Sequence, residues 1–103
     1  MSLLLLQAAE ATEGPCDIYD AAPEGTPCVA AHSTVRALYA KYDGPLYQLR
    51  QNHTFGRRLN ITVLQPGGIA DAAPQEKFCG KGHCVIERIF DQSPRGNHLD
   101  IVS

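Results

Sequence analysis

The four cysteines constrain this chain more than any other feature, because they fall as two local pairs, Cys16 with Cys28 and Cys79 with Cys84. Each pair brackets turn chemistry: Pro23, Gly25 and Pro27 in the first, Gly80 and Gly82 in the second. Three pairings exist on paper. The local one is favoured, since short turn-rich loops suit disulfides in an oxidising compartment. Zinc is the rival reading, with Cys79, His83 and Cys84 clustered and Cys16 or Cys28 supplied from a distance. Adjacent His83 and Cys84 do not follow the usual ligand spacings of zinc sites, which favours disulfides over metal. Staples matter here: the chain has 103 residues, and a domain of that size buries only about two-thirds of its unfolded surface. From Gly14 onward it offers six Leu, six Ile, five Val, three Phe and four Tyr, enough for one modest core.

Two sequons, Asn52-His53-Thr54 and Asn60-Ile61-Thr62, point to the same compartment as the cysteines, because such acceptors matter only to chains entering a secretory pathway. Residues 1–13 hold an apolar centre, Leu3 to Leu6, and small residues. They resemble the end of a secretory leader without a basic start, and are set aside from the fold. The expectation is a secreted, extracellular protein with one folded unit over residues 14–103. The nine Lys and Arg are scattered, only Arg57-Arg58 are adjacent, and the formal net charge is -2. That is not the electrostatic footprint of a nucleic-acid binder. No apolar run approaches the roughly 18 residues of a membrane-spanning helix.

Along the chain, Gly14 to Cys28 reads as a disulfide-closed loop anchored by Ile18-Tyr19. Ser33 or Thr34 can cap a helix in which Val35, Leu38, Tyr39 and Tyr42 follow at helical spacing, stopped by Asp43-Gly44-Pro45. Leu46 to Leu49 and Leu59 to Leu64 read as strands, the second alternating Leu59, Ile61 and Val63 against Asn60, Thr62 and Leu64. Gln51 to Arg58 between them is a hairpin-like exposed loop. Ile69 to Phe78 is a helical or turn segment interrupted by Pro74. Cys84 to Phe90 alternates with apolar residues on both faces, as an inner strand does. After turn chemistry at 91–97, His98 to Val102 reads as a last strand. About four strands without a second sheet leave an apolar face uncovered, since domains close two packed layers around a core.

Candidate chemistry is sparse. Asp71, Glu87 and Asp91 are the carboxylates placed beside turns or strand ends, where sites often sit. Each has a competing structural role: Asp71 as a helix cap, Asp91 as the organiser of its own Asx turn, Glu87 paired or solvated on a sheet face. His32 beside Ser33, with His98 elsewhere, suggests a base and a nucleophile. Neighbours at a helix start point apart, however, and no Gly-x-Ser-x-Gly elbow exists. Tyr39, Tyr42 and Tyr47 could stack on sugar rings, but the spacing of the first two favours a core role.

The order of motifs decides the reading. Gly14-Pro15-Cys16-Asp17-Ile18-Tyr19, then Thr26 to Thr34 (TPCVAAHST), then Arg36 to Tyr39 (RALY), resemble the opening of the fungal-type α-L-arabinofuranosidase B catalytic domains of glycoside hydrolase family fifty-four. The likeness continues through Gly44 to Leu49 (GPLYQL), Gly67 to Ala72 (GGIADA), Phe78-Cys79 with Cys84, and Asp91-Gln92-Ser93 with Gly96-Asn97-His98-Leu99. It departs over residues 50–66, at Val35 where a second Thr is usual, at Phe90 in place of Tyr, and at Pro94-Arg95 in a turn that is commonly Gly-rich.

The resemblance implies a mainly β fold: part of a concanavalin-like (jelly-roll) β-sandwich with short helices, disulfide-stapled and incomplete. It implies a secreted hydrolase that removes terminal arabinofuranose from arabinoxylan or arabinan with retention of configuration. Its partner would be an arabinose-containing plant cell-wall polysaccharide, with no cofactor, metal, nucleic acid or membrane. Retaining chemistry needs two carboxyl groups about 5 to 5.5 Å apart. In the family both lie beyond the segment matched here, so no residue of this chain is expected to be catalytic. The remainder of the same catalytic domain would be its other partner. The alternative is a free-standing, disulfide-stapled carbohydrate-binding or interaction module without catalysis.

Overall fold

The computed structural model describes residues 13–23, 25–52, 56–80 and 83–101. The leader-like residues 1–12, the middle of the first sequon at His53 and Thr54, and Val102 lie outside the described residues. Four antiparallel strands form one sheet in the order β2-β1-β3-β4: β1 Pro45–Gln51, β2 Arg58–Thr62, β3 Cys84–Ile89 and β4 Leu99–Asp100. Among the described residues two short helices complete it, α1 Pro15–Asp20 and α2 Ala73–Cys79.

β1 and β2 form the expected hairpin, with Leu49 opposite Leu59 and Tyr47 opposite Ile61. The alternation read from β2 holds: Ile61 is buried while Arg58, Asn60 and Thr62 face outward. Leu46, Tyr47, Leu49 and Ile61 make the core, with Leu59, Phe78, Cys79, Cys84 and Ile89 packed around them. α2 lies against this cluster, tied down where the Tyr47 hydroxyl donates to Gln75 Oε1 (2.7 Å) and Gln51 Nε2 donates to the Phe78 carbonyl (3.1 Å). β3 is the inner strand the sequence implies, between β1 and β4. Its clean alternation does not survive. Gln48 pairs with Arg88 but Leu49 with Ile86, so Glu87 is the extra residue of a bulge, which bends the strand and re-aims side chains. Of the described residues in the 98–102 strand expected, Leu99 and Asp100 are in the ladder, while His98 and Ile101 are not.

Both local disulfides are formed, Cys16–Cys28 and Cys79–Cys84, with Cα atoms 5.6 and 5.7 Å apart. Their sulfurs are consumed, which closes the zinc reading. The first loop is not the irregular loop expected. Pro15 opens α1 with its φ preset, and the Asp17 carboxylate reaches back to the Gly14 N–H (2.8 Å), so a helix forms inside the disulfide ring. Ile18 and Tyr19 are not its anchor: they are 58% and 56% exposed, and Cys16 is the buried residue.

The helix expected over residues 33–42 is absent. Ser33 Oγ does accept from the N–H groups of Val35 and Arg36, as a cap would. The following backbone groups then bond to distant partners. Ala37 N–H donates to Gly68 O, Leu38 N–H to Gln92 Oε1, Ala40 N–H to Asp17 Oδ2, and the Leu38 carbonyl accepts from Cys16 N–H. A two-turn helix is marginal alone, and these tertiary bonds outcompete its i to i+4 ladder. Gly67 makes the close approach possible. It has φ +74°, its N–H donates to Tyr42 O, and a Cβ there would collide with the Ala40 carbonyl.

The uncovered apolar surface is as the strand count implied. Ile86, Leu99 and Ile101 remain exposed around a groove of about 230 Å3 at the β3–β4 side.

Candidate functional site

Two places gather polar and aromatic chemistry, and neither has the form of a glycosidase centre. The first is the turn after β3. Asp91, Gln92 and Ser93 are all buried, at 4%, 6% and 5% exposure. The Asp91 carboxylate accepts from Ala31 N–H (2.8 Å) and Ser93 N–H (2.9 Å) at Oδ1, and from Ser93 Oγ (2.8 Å) and Asn97 N–H (2.9 Å) at Oδ2. Burial alone would raise its pKa. The donated N–H groups of Ala31 and Asn97 and the Ser93 bonds reverse that and hold it well below the usual carboxylate range. Gln92 extends the hub, accepting from Leu38 N–H (2.6 Å) and donating to the Arg36 carbonyl (3.2 Å). The Asx-turn reading of Asp91 is right in kind, but two of its four bonds reach outside the Asp91–Ser93 turn.

Glu87 stands on the polar side of the sheet, bonded by Arg58 (2.5 and 3.1 Å), with Arg50 at 3.4 Å. The Arg58 hydrogen bond pulls its pKa down against a smaller desolvation effect. Asp100, held by Arg88, is lowered likewise. A glycosidase acid needs a raised pKa, and these three carboxyls are all driven the other way. Asp71 is not a helix cap: Ala72 takes the N-cap position before α2, with no side-chain cap bond. Its backbone N–H instead donates to Thr62 O.

The histidine and serine candidates are structural. Ser33 Oγ is occupied by its own turn, His32 Nε2 donates to the Asn97 carbonyl (2.6 Å), and His98 Nδ1 accepts from Asp91 N–H (2.9 Å). His98 also packs edge-on against Phe90, with ring centroids 5.3 Å apart.

The second place is a cleft of about 590 Å3 between α1, the 39–42 turn and the Gln92–Pro94 segment. Tyr39 and Tyr42 give it an aromatic wall; Glu13, Asp17 and Lys41 supply charge. Burial is the first cause raising both tyrosine pKa values. Tyr42 donates to the Pro45 carbonyl (2.6 Å), and the buried Tyr39 hydroxyl has no partner among the described residues. Tyr47 is separate, buried in the sheet core. Sequence reasoning missed Gln92 and Asp17 as organisers. Asp17 was readable as an N3 carboxylate after Gly-Pro; Gln92 carried no local signal, since its partners lie 54 and 56 residues away.

A family model described as "Alpha-L-arabinofuranosidase B, catalytic" matches residues 15–103. The chain belongs to this family. Among its relatives, a probable α-L-arabinofuranosidase B of Aspergillus terreus is 57% identical over 86 residues, covering 84% of this chain and 16% of that protein. The α-L-arabinofuranosidase B of Emericella nidulans is 50% identical over 99 residues, covering 96% and 19%. A solved GH54 α-L-arabinofuranosidase soaked with a cyclic sulfate inhibitor superposes with a TM-score of 0.78 at 53% identity, over 84% of this chain and 18% of that one. An arabinofuranosidase complexed with arabinofuranosyl-α-1,2-xylobiose superposes equally well, over 84% and 17%. The chain is thus mainly β and forms part of a GH54-type β-sandwich. It spans 16% to 19% of the length of these curated relatives.

Proposed function

We propose that this chain is the amino-terminal scaffold segment of a secreted α-L-arabinofuranosidase. The whole enzyme removes terminal arabinofuranose from arabinoxylan or arabinan with retention of configuration, and the two catalytic carboxyl groups are supplied outside these residues. The observation that carries this reading is the family match over residues 15–103, at up to 57% identity, in a chain whose Glu87, Asp91 and Asp100 carboxyls are lowered in pKa by structural bonds. A retaining mechanism needs one carboxyl as nucleophile and a second, raised in pKa, as acid. Secretion is supported by two disulfides and by the sequons at Asn52 and Asn60, which make N-glycosylation at those positions part of the proposal.

The test is a transplant. Residues 15–101 replace the matched segment of the Aspergillus terreus relative, and the chimera is assayed on an aryl α-L-arabinofuranoside beside the isolated chain. The expected result is hydrolysis by the chimera, unchanged on Glu87→Gln, and none by the isolated chain. Turnover by the isolated chain that disappears on Glu87→Gln would place catalysis here and overturn the scaffold reading. So would a folded, fully disulfide-bonded chimera that is inert.

A further inference from the structure

The polar side of the sheet carries the second sequon, and its place there extends the secretory reading above to a structural consequence. Asn60 sits in the middle of β2, which among the named strands pairs only with β1; the 69–71 segment closes its far end, where Asp71 N–H donates to the Thr62 carbonyl. The strand period places the outer residues of the sequon, Asn60 and Thr62, outward and exposed. Ile61 between them is 1% exposed in the core. The Asn60 carboxamide is already oriented: its Oδ1 accepts from Gln48 Nε2 on β1 (3.0 Å). That bond uses the oxygen and leaves the nitrogen, the atom that would carry a sugar, outside the contact.

We propose that Asn60 carries an N-linked glycan that stands over the polar face of β2, so that this face around Asn60 and the edge of β2 before Thr62 are solvent surface in the mature protein. The inference rests on the secretory part of the reading above. In the transfer, Asn60 Nδ2 attacks the anomeric carbon of the first N-acetylglucosamine of a lipid diphosphate-linked oligosaccharide. The C–N bond forms, the lipid diphosphate leaves, and the amide gives up one proton. Transfer takes place on the extended chain, so the fold decides only whether the product can be accommodated. Here it can: the glycan leaves Ile61 free to enter the core, and the amide oxygen keeps its bond from Gln48. An edge strand exposes unpaired backbone groups that invite pairing with another strand. A bulky polar glycan at mid-strand blocks that approach, alongside the charged Arg58.

The sequence makes the test clean, because trypsin cuts after Arg50, Arg57, Arg58 and Lys77 and so places the two sequons on separate peptides, 51–57 and 59–77. The full chain is secreted from a eukaryotic host, its free thiols are counted, and it is treated with an amidase that releases N-glycans in 18O-labelled water. The expected result is no free thiol and an 18O-marked Asp at position 60. Thr62→Ala should remove one glycan from the intact mass, while Asn52→Gln should leave the mark at 60 in place. An unmarked Asn60 in disulfide-complete protein overturns the proposal while leaving the secretory reading standing. Free thiols with neither asparagine marked overturn both.

Discussion

Replacing Asp91 with alanine removes a carboxylate that is 4% exposed and accepts four hydrogen bonds. Three of the donors are backbone N–H groups, of Ala31, Ser93 and Asn97. The Asn97 residue is exposed and water can reach it, but Ala31 and Ser93 are buried, at 1% and 5%. Two buried donors without acceptors cost about 1–3 kcal/mol each, and the charge-assisted bonds lost with them bring the change to about 3–5 kcal/mol. Asp91→Asn keeps one oxygen and the shape. It points an N–H2 at the Asn97 N–H and should cost about 1–3 kcal/mol. The assay is urea unfolding of the disulfide-intact chain followed by far-UV circular dichroism, with the slope checked for constancy across variants. The pH dependence supplies a second readout. Because the native pKa of Asp91 is depressed, the stability tied to its charge is complete above the unfolded value of about 3.9 and is lost as pH falls through it toward the native value. Asp91→Asn should flatten that acid limb. An Asp91→Ala variant within about 0.5 kcal/mol of the parent, the range of ordinary surface changes, would refute the hub.

Opening the Cys16–Cys28 ring by paired Cys→Ser changes should cost about 3 kcal/mol, and opening the shorter Cys79–Cys84 ring about 2 kcal/mol, by loop-closure entropy at sequence separations of 12 and 5. Thermal unfolding measures both, and four titratable thiols in unreduced protein would contradict the pairing. Gly67→Ala and Gly25→Ala form a matched comparison. Both positions have positive φ, but only at Gly67 does the new methyl meet backbone, so Gly67→Ala should cost about 2–3 kcal/mol and Gly25→Ala about 1. Equal melting shifts would show that the Ala40 approach is not tight.

What the sequence disclosed was local chemistry. Period-two alternation at Leu59 to Leu64 needs no knowledge of the rest of the chain, and neither does a pair of cysteines flanking a turn. Pro74 differs from expectation: it does not interrupt a 69–78 segment but sits in the first turn of α2. The 33–42 stretch failed for the complementary reason. Its helical spacing was genuine, but Gly68, Gln92 and Asp17, which take its backbone groups, are distant in sequence. The bulge at Glu87 is likewise invisible to a pattern count, because it exists only in the register between β1 and β3. Of the site candidates, the nature of Asp91 was legible from Asp91-Gln92-Ser93, while its reach to Ala31 was not. The family was legible because it rests on the order of several short motifs, which departures at Val35 and Phe90 do not disturb.

The hub at Asp91 also sets an order of events during synthesis. The bond from Ala31 to Asp91 spans 60 residues, and those that Arg95 and Asn97 donate to the Cys28 and Val29 carbonyls span 67 and 68. The first third of the described chain therefore leaves the ribosome long before the groups that fix it. Until β3 and its following turn emerge, that third is held by the Cys16–Cys28 ring, by the Asp17 bonds to Gly14 and Ala40, by Cys16 N–H on the Leu38 carbonyl, and by Ala37 N–H on the Gly68 carbonyl. Early oxidation of this ring would keep a waiting segment compact, and the arrival of Asp91 would lock it to the sheet.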